Sequence, residues 1–101
     1  MAAKSRSLII QEVEEHVQKN GGTFREWFVG VTADPKKALF TEHRLKSNGD
    51  AWICRRAIDD LQAGEVSSYF VSVRGTKGGK RASSLDEVYV YAYKIKPHTR
   101  P

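Results

Sequence analysis

The sequence predicts an α+β domain built on a small, mostly antiparallel three-stranded sheet with three helices, in the order α-β-α-β-α-β. Three patterns lead to this prediction. Apolar residues recur at helical spacing before residue 20, the stretch Trp27–Phe40 combines a strand with a turn and a helix start, and residues 88–95 alternate like a strand. A chain of 101 residues has room for one domain with one core, so we treat 1–101 as a single domain.

The first helix is predicted to begin after Ser5 or Ser7, since either hydroxyl can accept a hydrogen bond from the first turn. It ends near Asn20, where two glycines follow. Its apolar face carries Ile9, Val13 and Val17. Residues 1–4 precede the cap at the chain terminus, so we expect them to be disordered.

The segment that follows gives the clearest strand and helix signals. Trp27–Thr32 is rich in β-forming residues and predicts a buried strand. Gly30 interrupts this run, which allows another group to come close. Asp34 and Pro35 then mark the N-cap and the first residue of a second helix, which runs to about residue 44.

A second strand, Ala51–Ala57, follows a polar turn. Its two arginines, Arg55 and Arg56, favour an edge position, because charge there discourages pairing with other sheets. Asp59 or Asp60 caps the third helix. The apolar stripe of this helix consists of Leu61, Ala63, Val66, Phe70 and Val73.

Residues 74–84 are basic and rich in glycine and lack large apolar side chains, which predicts a flexible loop over residues 75–84. Backbone amides beside Lys77, Lys80 and Arg81 can cradle a phosphate through glycine-rich turns. A solvated connector has the same composition, so both interpretations of the loop stay open.

The last strand, Val88–Ile95, places its valines on the core side of the sheet. Tyr89, Tyr91 and Tyr93 fall on the opposite side, where they pack against a helix, form a half-exposed sheet face or stack on nucleic-acid bases. The basic residues 97–101 are expected to be disordered.

Composition narrows the possible partners. The net charge of +5 and the pI near 9.5 permit an acidic partner, above all nucleic acid, without requiring one. The single cysteine, Cys54, excludes an internal disulfide and fits a reducing compartment. No apolar run approaches the roughly 20 residues of a membrane span, so we expect no membrane contact and a cytoplasmic location. The histidines and Cys54 lack zinc-site spacing, so no metal or other cofactor is predicted. The sequence does not predict the oligomeric state.

One part of the chain resembles a known family. The run from Phe28 to Thr32, followed by Asp34-Pro35, a basic and apolar helix and His43, is similar to the second half of a GIY-YIG nuclease domain, over about residues 27–70. The resemblance implies a small sheet flanked by helices. In that family a helix arginine, a histidine and a divalent metal held by a glutamate of a later helix serve the cleavage of a DNA phosphodiester.

Key positions of the family pattern are missing from this chain. Phe28 stands where the pattern has a tyrosine, and the helix arginine falls near Ala38 or Leu39. The metal-binding glutamate falls at Ser67. Glu65 is two positions away, which is about 200° around a helix. Among the positions that match the family pattern, His43 is the residue whose side chain can serve as a catalytic group.

These observations favour a non-catalytic binding module that resembles a degenerate GIY-YIG domain and contacts nucleic-acid phosphates. The residues predicted to contact nucleic acid are Arg55, Arg56, Arg74, Lys77, Lys80, Arg81, Tyr89, Tyr91 and Tyr93.

Two alternative functions remain open. The chain is either a metal-dependent endonuclease with a rearranged site around His43 and Glu65, which would need a divalent metal, or a protein-interaction domain whose basic loop only adds solubility. A carboxylate facing His43 would favour the nuclease.

Overall fold

The computed structural model describes residues 2–78 and 84–101, which form a five-stranded mixed sheet covered by helices on both faces. β5 lies in the middle and pairs antiparallel with β2 on one side and β3 on the other. β1 pairs parallel with β3, and β4 pairs parallel with β2. The strands are β1 (Ala3–Lys4), β2 (Trp27–Thr32), β3 (Trp52–Ala57), β4 (Lys77–Gly78) and β5 (Tyr89–Lys94), in the spatial order β1-β3-β5-β2-β4.

The prediction of a mostly antiparallel three-stranded sheet is therefore wrong, because it missed both parallel outer strands. β1 and β4 are two residues long, too short to show the alternation by which a strand is recognised. Disorder was expected for residues 1–4 and flexibility for 75–84, yet Ala3 pairs with Arg56 and Lys77 with Phe28. β3 is consequently flanked by strands on both sides rather than being the edge strand that its arginines suggested.

The first and last predicted helices each begin at one of the two cap residues that the sequence offered. α1 (Arg6–Asn20) is capped by Ser5, and α2 (Asp60–Tyr69) by Asp59, whose carboxylate accepts the Gln62 N–H at 2.8 Å. Between β2 and β3 lies the first π-helix (Lys37–Glu42), and α2 continues into the second π-helix (Phe70–Arg74). A 3₁₀ turn (Phe24–Glu26) leads into β2.

α1 and α2 cover one face of the sheet and enclose the larger core. Trp27 is fully buried there, together with the valine side of β5 that the sequence predicts to face inward. Leu61 and Val73, predicted to face this core, are instead 72% and 63% exposed. Leu61 lies two positions before the buried Ala63, about 200° around the helix. Val73 lies in the second π-helix, whose wider turns change the phase of the stripe.

The first π-helix covers the opposite face and packs on the tyrosines of β5. Tyr91 and Tyr93 are buried against Ala38 and Leu39, and Phe28 stacks on Tyr93 with ring centroids 5.3 Å apart. Tyr91 and Tyr93 therefore pack against a helix, which is one of the interpretations that the sequence left open for the tyrosines of this strand.

Gly30 leaves room for the Tyr91 ring on this second face of the sheet. It lies directly opposite Tyr91 in the β2–β5 ladder. A Cβ at Gly30 would lie 2.7 Å from the Tyr91 Oη and 2.8 Å from its Cζ. The tyrosine ring therefore lies over the bare backbone of the glycine, in the manner of an aromatic side chain that shields a cross-strand glycine.

Gly30→Ala should lower the free energy of unfolding by roughly 1–3 kcal/mol, because the new methyl group overlaps a buried ring. Chemical denaturation of the four members of a double-mutant cycle with Tyr91→Ala would measure this. The cost of the methyl group should shrink when the ring is absent. An equal cost in both backgrounds would contradict the packing argument.

His16 on α1 is held in its neutral form. Its ring meets Trp27 edge-on, with centroids 5.6 Å apart, and its Nε2 is buried without a hydrogen-bond partner among the described residues. Burial, followed by the charges of Arg55 and Lys19, lowers its pKa below the ordinary 6.5. The folded chain therefore binds a proton at His16 less readily than the unfolded chain does.

The free energy of unfolding should consequently fall as the pH drops from about 7 towards 5, because the unfolded chain takes up a proton that the folded chain resists. The contribution is fully present above the unfolded pKa of about 6.5 and is lost as the pH falls through the lower folded pKa. His16→Gln should flatten this part of the profile. Denaturant titrations of both proteins across this range measure the difference, and parallel profiles would contradict it.

Candidate functional site

A cleft of about 510 Å³ opens on the face of the sheet that carries the first π-helix, near the end of β2. The end of β2, the turn after it, the first π-helix and the segment before β5 form its walls. The residues that line it include Phe28, Gly30, Thr32, Asp34, Lys37, Glu42, His43, Asp86, Glu87 and Tyr91. The run that resembles the GIY-YIG pattern therefore contributes much of this cleft.

His43 lies at the wall of the cleft, 9% exposed, immediately after the first π-helix. Its Nδ1 is 2.5 Å from the Arg100 carbonyl oxygen, which can only accept, so Nδ1 carries the proton. Its Nε2 is 2.7 Å from the Tyr91 hydroxyl, and in the neutral ring it accepts the tyrosine proton. The Tyr93 hydroxyl lies 2.9 Å from Nδ1. Both ring nitrogens are thus occupied by protein groups.

The two tyrosine hydroxyls keep their protons. Burial raises the pKa of Tyr91, with a further contribution from Glu42, and burial together with Tyr91 raises that of Tyr93. Neither ring is available for stacking on a base, because Tyr91 is 6% exposed and Tyr93 is fully buried. Tyr89 is half-buried at the start of β5.

The cleft has an acidic lining. Among the described lining residues, four carry carboxylates, Asp34, Glu42, Asp86 and Glu87, and one is a lysine, Lys37. Some of these groups also have local structural contacts: Asp34 accepts the Lys37 N–H at 3.1 Å, and Asp86 accepts the Ser84 hydroxyl at 2.5 Å. The described lining therefore repels a phosphate group and attracts a cation.

The position of the family glutamate carries no carboxylate. Ser67 is fully buried, and its hydroxyl lies 3.4 Å from the Val29 carbonyl oxygen, which it can reach only as a donor. Glu65 forms an ion pair with Arg6 at 2.8 Å on the α1–α2 side. Since α2 and His43 lie on opposite faces of the sheet, the rearranged site of His43 and Glu65 is not assembled. Residues 2–78 and 84–101 contain no group of three metal-ligating side chains.

Two of the predicted phosphate-binding arginines are neutralised by α1. Arg55 contacts Glu12 at 2.7 Å, and Lys4 contacts the same carboxylate. Arg74 contacts Glu14 at 2.7 Å, with its guanidinium 5.3 Å from the ring centroid of Phe24. These pairs join α1 to β3 and to the second π-helix, so the two arginines have structural roles.

The other predicted cations are scattered. Arg56 is exposed on β3, and Lys77 is exposed on β4 at the other edge of the sheet. Lys80 and Arg81 lie outside the described residues. The described part of the chain therefore does not gather the sequence-predicted residues into one phosphate site.

The C-terminal tail, which was expected to be disordered, is instead held against the segment that follows the first π-helix. Thr99 is 5% exposed, and the Arg100 N–H donates to the His43 carbonyl oxygen at 2.8 Å. No local pattern signals this contact, because the two residues are 57 positions apart and the tail has no apolar periodicity.

No protein-family model, no curated protein and no solved structure matches this chain. No helix in the described part of the chain is long and apolar enough to cross a membrane.

Tyr91→Phe should lower the free energy of unfolding by roughly 1–3 kcal/mol, because it leaves the buried Nε2 of His43 without its donor. Tyr89→Phe is the matched control, since its hydroxyl has no partner among the described residues and its loss should be nearly neutral. Thermal and chemical denaturation compare the two variants. Equal losses would show that the bond between Tyr91 and His43 contributes nothing to stability.

Proposed function

We propose that this chain is a non-catalytic binding module with a degenerate GIY-YIG-like fold, and that its ligand is the phosphate backbone of a nucleic acid. The observation that carries the proposal is Ser67, buried and hydrogen-bonded at the position where the family pattern has its metal-binding glutamate. The Ser67 hydroxyl makes a structural contact between α2 and β2 at the position where the family pattern has a metal ligand.

Carboxylates line the same cleft as His43, which is the arrangement that favours the nuclease, but the hydrogen bonds of His43 and the surroundings of Lys37 support a role without catalysis. Phosphodiester hydrolysis needs an activated water and stabilisation of the charge that develops on phosphorus oxygens, usually by a metal and a cation together. Lys37 is the cation of the described lining, and it lies among four carboxylates. His43, the carried-over histidine, has both nitrogens bound to Tyr91, Tyr93 and Arg100. It has no free nitrogen with which to accept a proton from water.

Charge supports a nucleic-acid ligand. The chain carries five more basic than acidic residues, although several acidic residues concentrate in the cleft and on α1. The remaining surface is correspondingly more basic than the total suggests. Binding through lysine and arginine to phosphates depends weakly on base sequence and strongly on salt.

A second candidate function, a protein-interaction domain, is favoured by a different observation. The acidic cleft offers carboxylates and the aromatic Phe28 to a lysine or arginine side chain of a partner. Such an interaction would not require phosphate contacts anywhere on the chain.

Fluorescence anisotropy with short DNA and RNA strands of several sequences, across a salt series, tests the proposal. We expect binding at low salt with similar affinity for all sequences and a slope of about 0.7–0.9 per phosphate contacted. A parallel plasmid assay with Mg²⁺ or Mn²⁺ should show no nicking. Metal-dependent nicking that disappears in His43→Ala would favour the endonuclease. Absence of binding at low salt would favour the protein-interaction domain.

A further inference from the structure

We infer that the nucleic-acid phosphates are contacted at a basic surface completed by the C-terminal tail, formed by Arg44, Lys46, Lys96 and Arg100 and hereafter named the tail surface. The inference rests on the proposed function and names the face that serves it. The four residues come from two segments about 50 positions apart, and the folded chain brings the two segments together.

Backbone contacts fix the end of the tail beside the segment that follows the first π-helix. The Arg100 N–H donates to the His43 carbonyl at 2.8 Å, and the Arg100 carbonyl accepts from the His43 ring. Arg44 is the next residue after His43. The backbones of Arg44 and Arg100 are therefore neighbours, and their side chains belong to one region of the surface.

A second set of contacts, made by Asp50, joins the Lys46 backbone to His98, two residues after Lys96. One oxygen of Asp50 accepts the Lys46 N–H at 2.7 Å and lies 2.6 Å from the His98 Nε2. Burial works against ionisation of Asp50, but these two contacts outweigh it and, with the charge of Lys96, lower its pKa. The Asp50 carboxylate beside these cations is thus already engaged by the Lys46 N–H and by His98.

Thr99 holds the tail in this shape. Its hydroxyl accepts the Lys96 N–H at 3.1 Å and donates to the Lys96 carbonyl at 2.8 Å, and the residue is buried. The resulting turn, with the neighbouring His98–Asp50 contact, gives the segment from Lys96 to Arg100 a defined position. Cations in a defined position lose less conformational freedom on binding than cations on a free tail.

The cations of the tail surface are available to a ligand. Arg44, Lys46 and Arg100 are exposed, and none of them takes part in an ion pair among the described residues. Arg55 and Arg74, by contrast, are paired with Glu12 and Glu14.

The backbone at Arg44 also points to a role for its side chain. Its φ of 59° lies in the left-handed region, where glycine and asparagine are the comfortable residues. An arginine there costs stability that asparagine would recover in part. Replacing Arg44 therefore separates a contribution to binding from a contribution to folding, because the two are expected to change in opposite directions.

The decisive experiment compares two double variants with the same change in net charge. Arg44→Asn with Arg100→Gln removes two charges from the tail surface, and Lys19→Gln with Lys36→Gln removes two exposed charges elsewhere. At about 0.1 M salt each phosphate contact is worth roughly 5- to 8-fold in affinity, so the first variant should bind DNA about 25- to 60-fold more weakly. Its salt slope should fall by about 1.4–1.8, while the control stays near the wild type. Thermal denaturation should show both variants folded.

The outcomes separate the inference from the proposed function. If the wild type binds and the two double variants weaken equally, the tail surface is refuted and the nucleic-acid module stands. If the wild type does not bind DNA or RNA at low salt, both fall.

Variants of Thr99 test whether DNA binding depends on the fixed position of the C-terminal tail as well as on its charge. Thr99→Ala should weaken DNA binding about 5-fold although no charge changes, because the tail loses its anchor. Thr99→Ser keeps the hydroxyl and should bind like the wild type. Equal affinity of Thr99→Ala and the wild type would overturn the role of the docked tail.

Discussion

The structure depends on the contact that joins Tyr91, Gly30 and His43. The ring of Tyr91 occupies the space left by Gly30 on the neighbouring strand, and its hydroxyl bonds the His43 Nε2. His43 ends the first π-helix and bonds the tail through Arg100. One cross-strand tyrosine therefore links the central sheet to the helix on its second face and, through that helix, to the C-terminus. The second face of the sheet would otherwise expose an aromatic surface.

The sequence predicted well what local physics determines. The bounds of β2 and the caps Ser5 and Asp59 follow from residue preferences and one-turn hydrogen bonds, and the structure has them as predicted. The sequence did not predict structure that depends on contacts with distant parts of the chain. The two-residue strand Ala3–Lys4 is too short to show a pattern of its own, and it forms because it pairs with β3. The candidate site divides in the same way. His43 was singled out by the resemblance of residues 27–70 to the GIY-YIG pattern, whereas its partners Tyr91, Tyr93 and Arg100 lie 48 to 57 positions away.

The fold, rather than the order of residues in the sequence, determines which charged side chains lie close together. Arg55 and Arg74 look free in the sequence, but α1 brings Glu12 and Glu14 to them. The cleft collects carboxylates from the turn after β2, from the first π-helix and from the segment before β5. Within residues 2–78 and 84–101, the lysines and arginines just after the first π-helix and in the tail take part in no ion pair. The net charge of +5 therefore does not by itself show which part of the surface is basic.

The hydrogen bonds of His43 give it a structural role at the wall of the cleft. A histidine that takes part in hydrolysis needs a nitrogen free to exchange a proton with water or substrate. Here the Nδ1 proton is directed at the Arg100 carbonyl, and Nε2 is bound to Tyr91. Replacing this ring would leave two tyrosine hydroxyls and a backbone carbonyl without their partner, which is costly in a buried site. The same hydrogen bonds that occupy both ring nitrogens thus make the histidine a structural requirement of this face of the sheet.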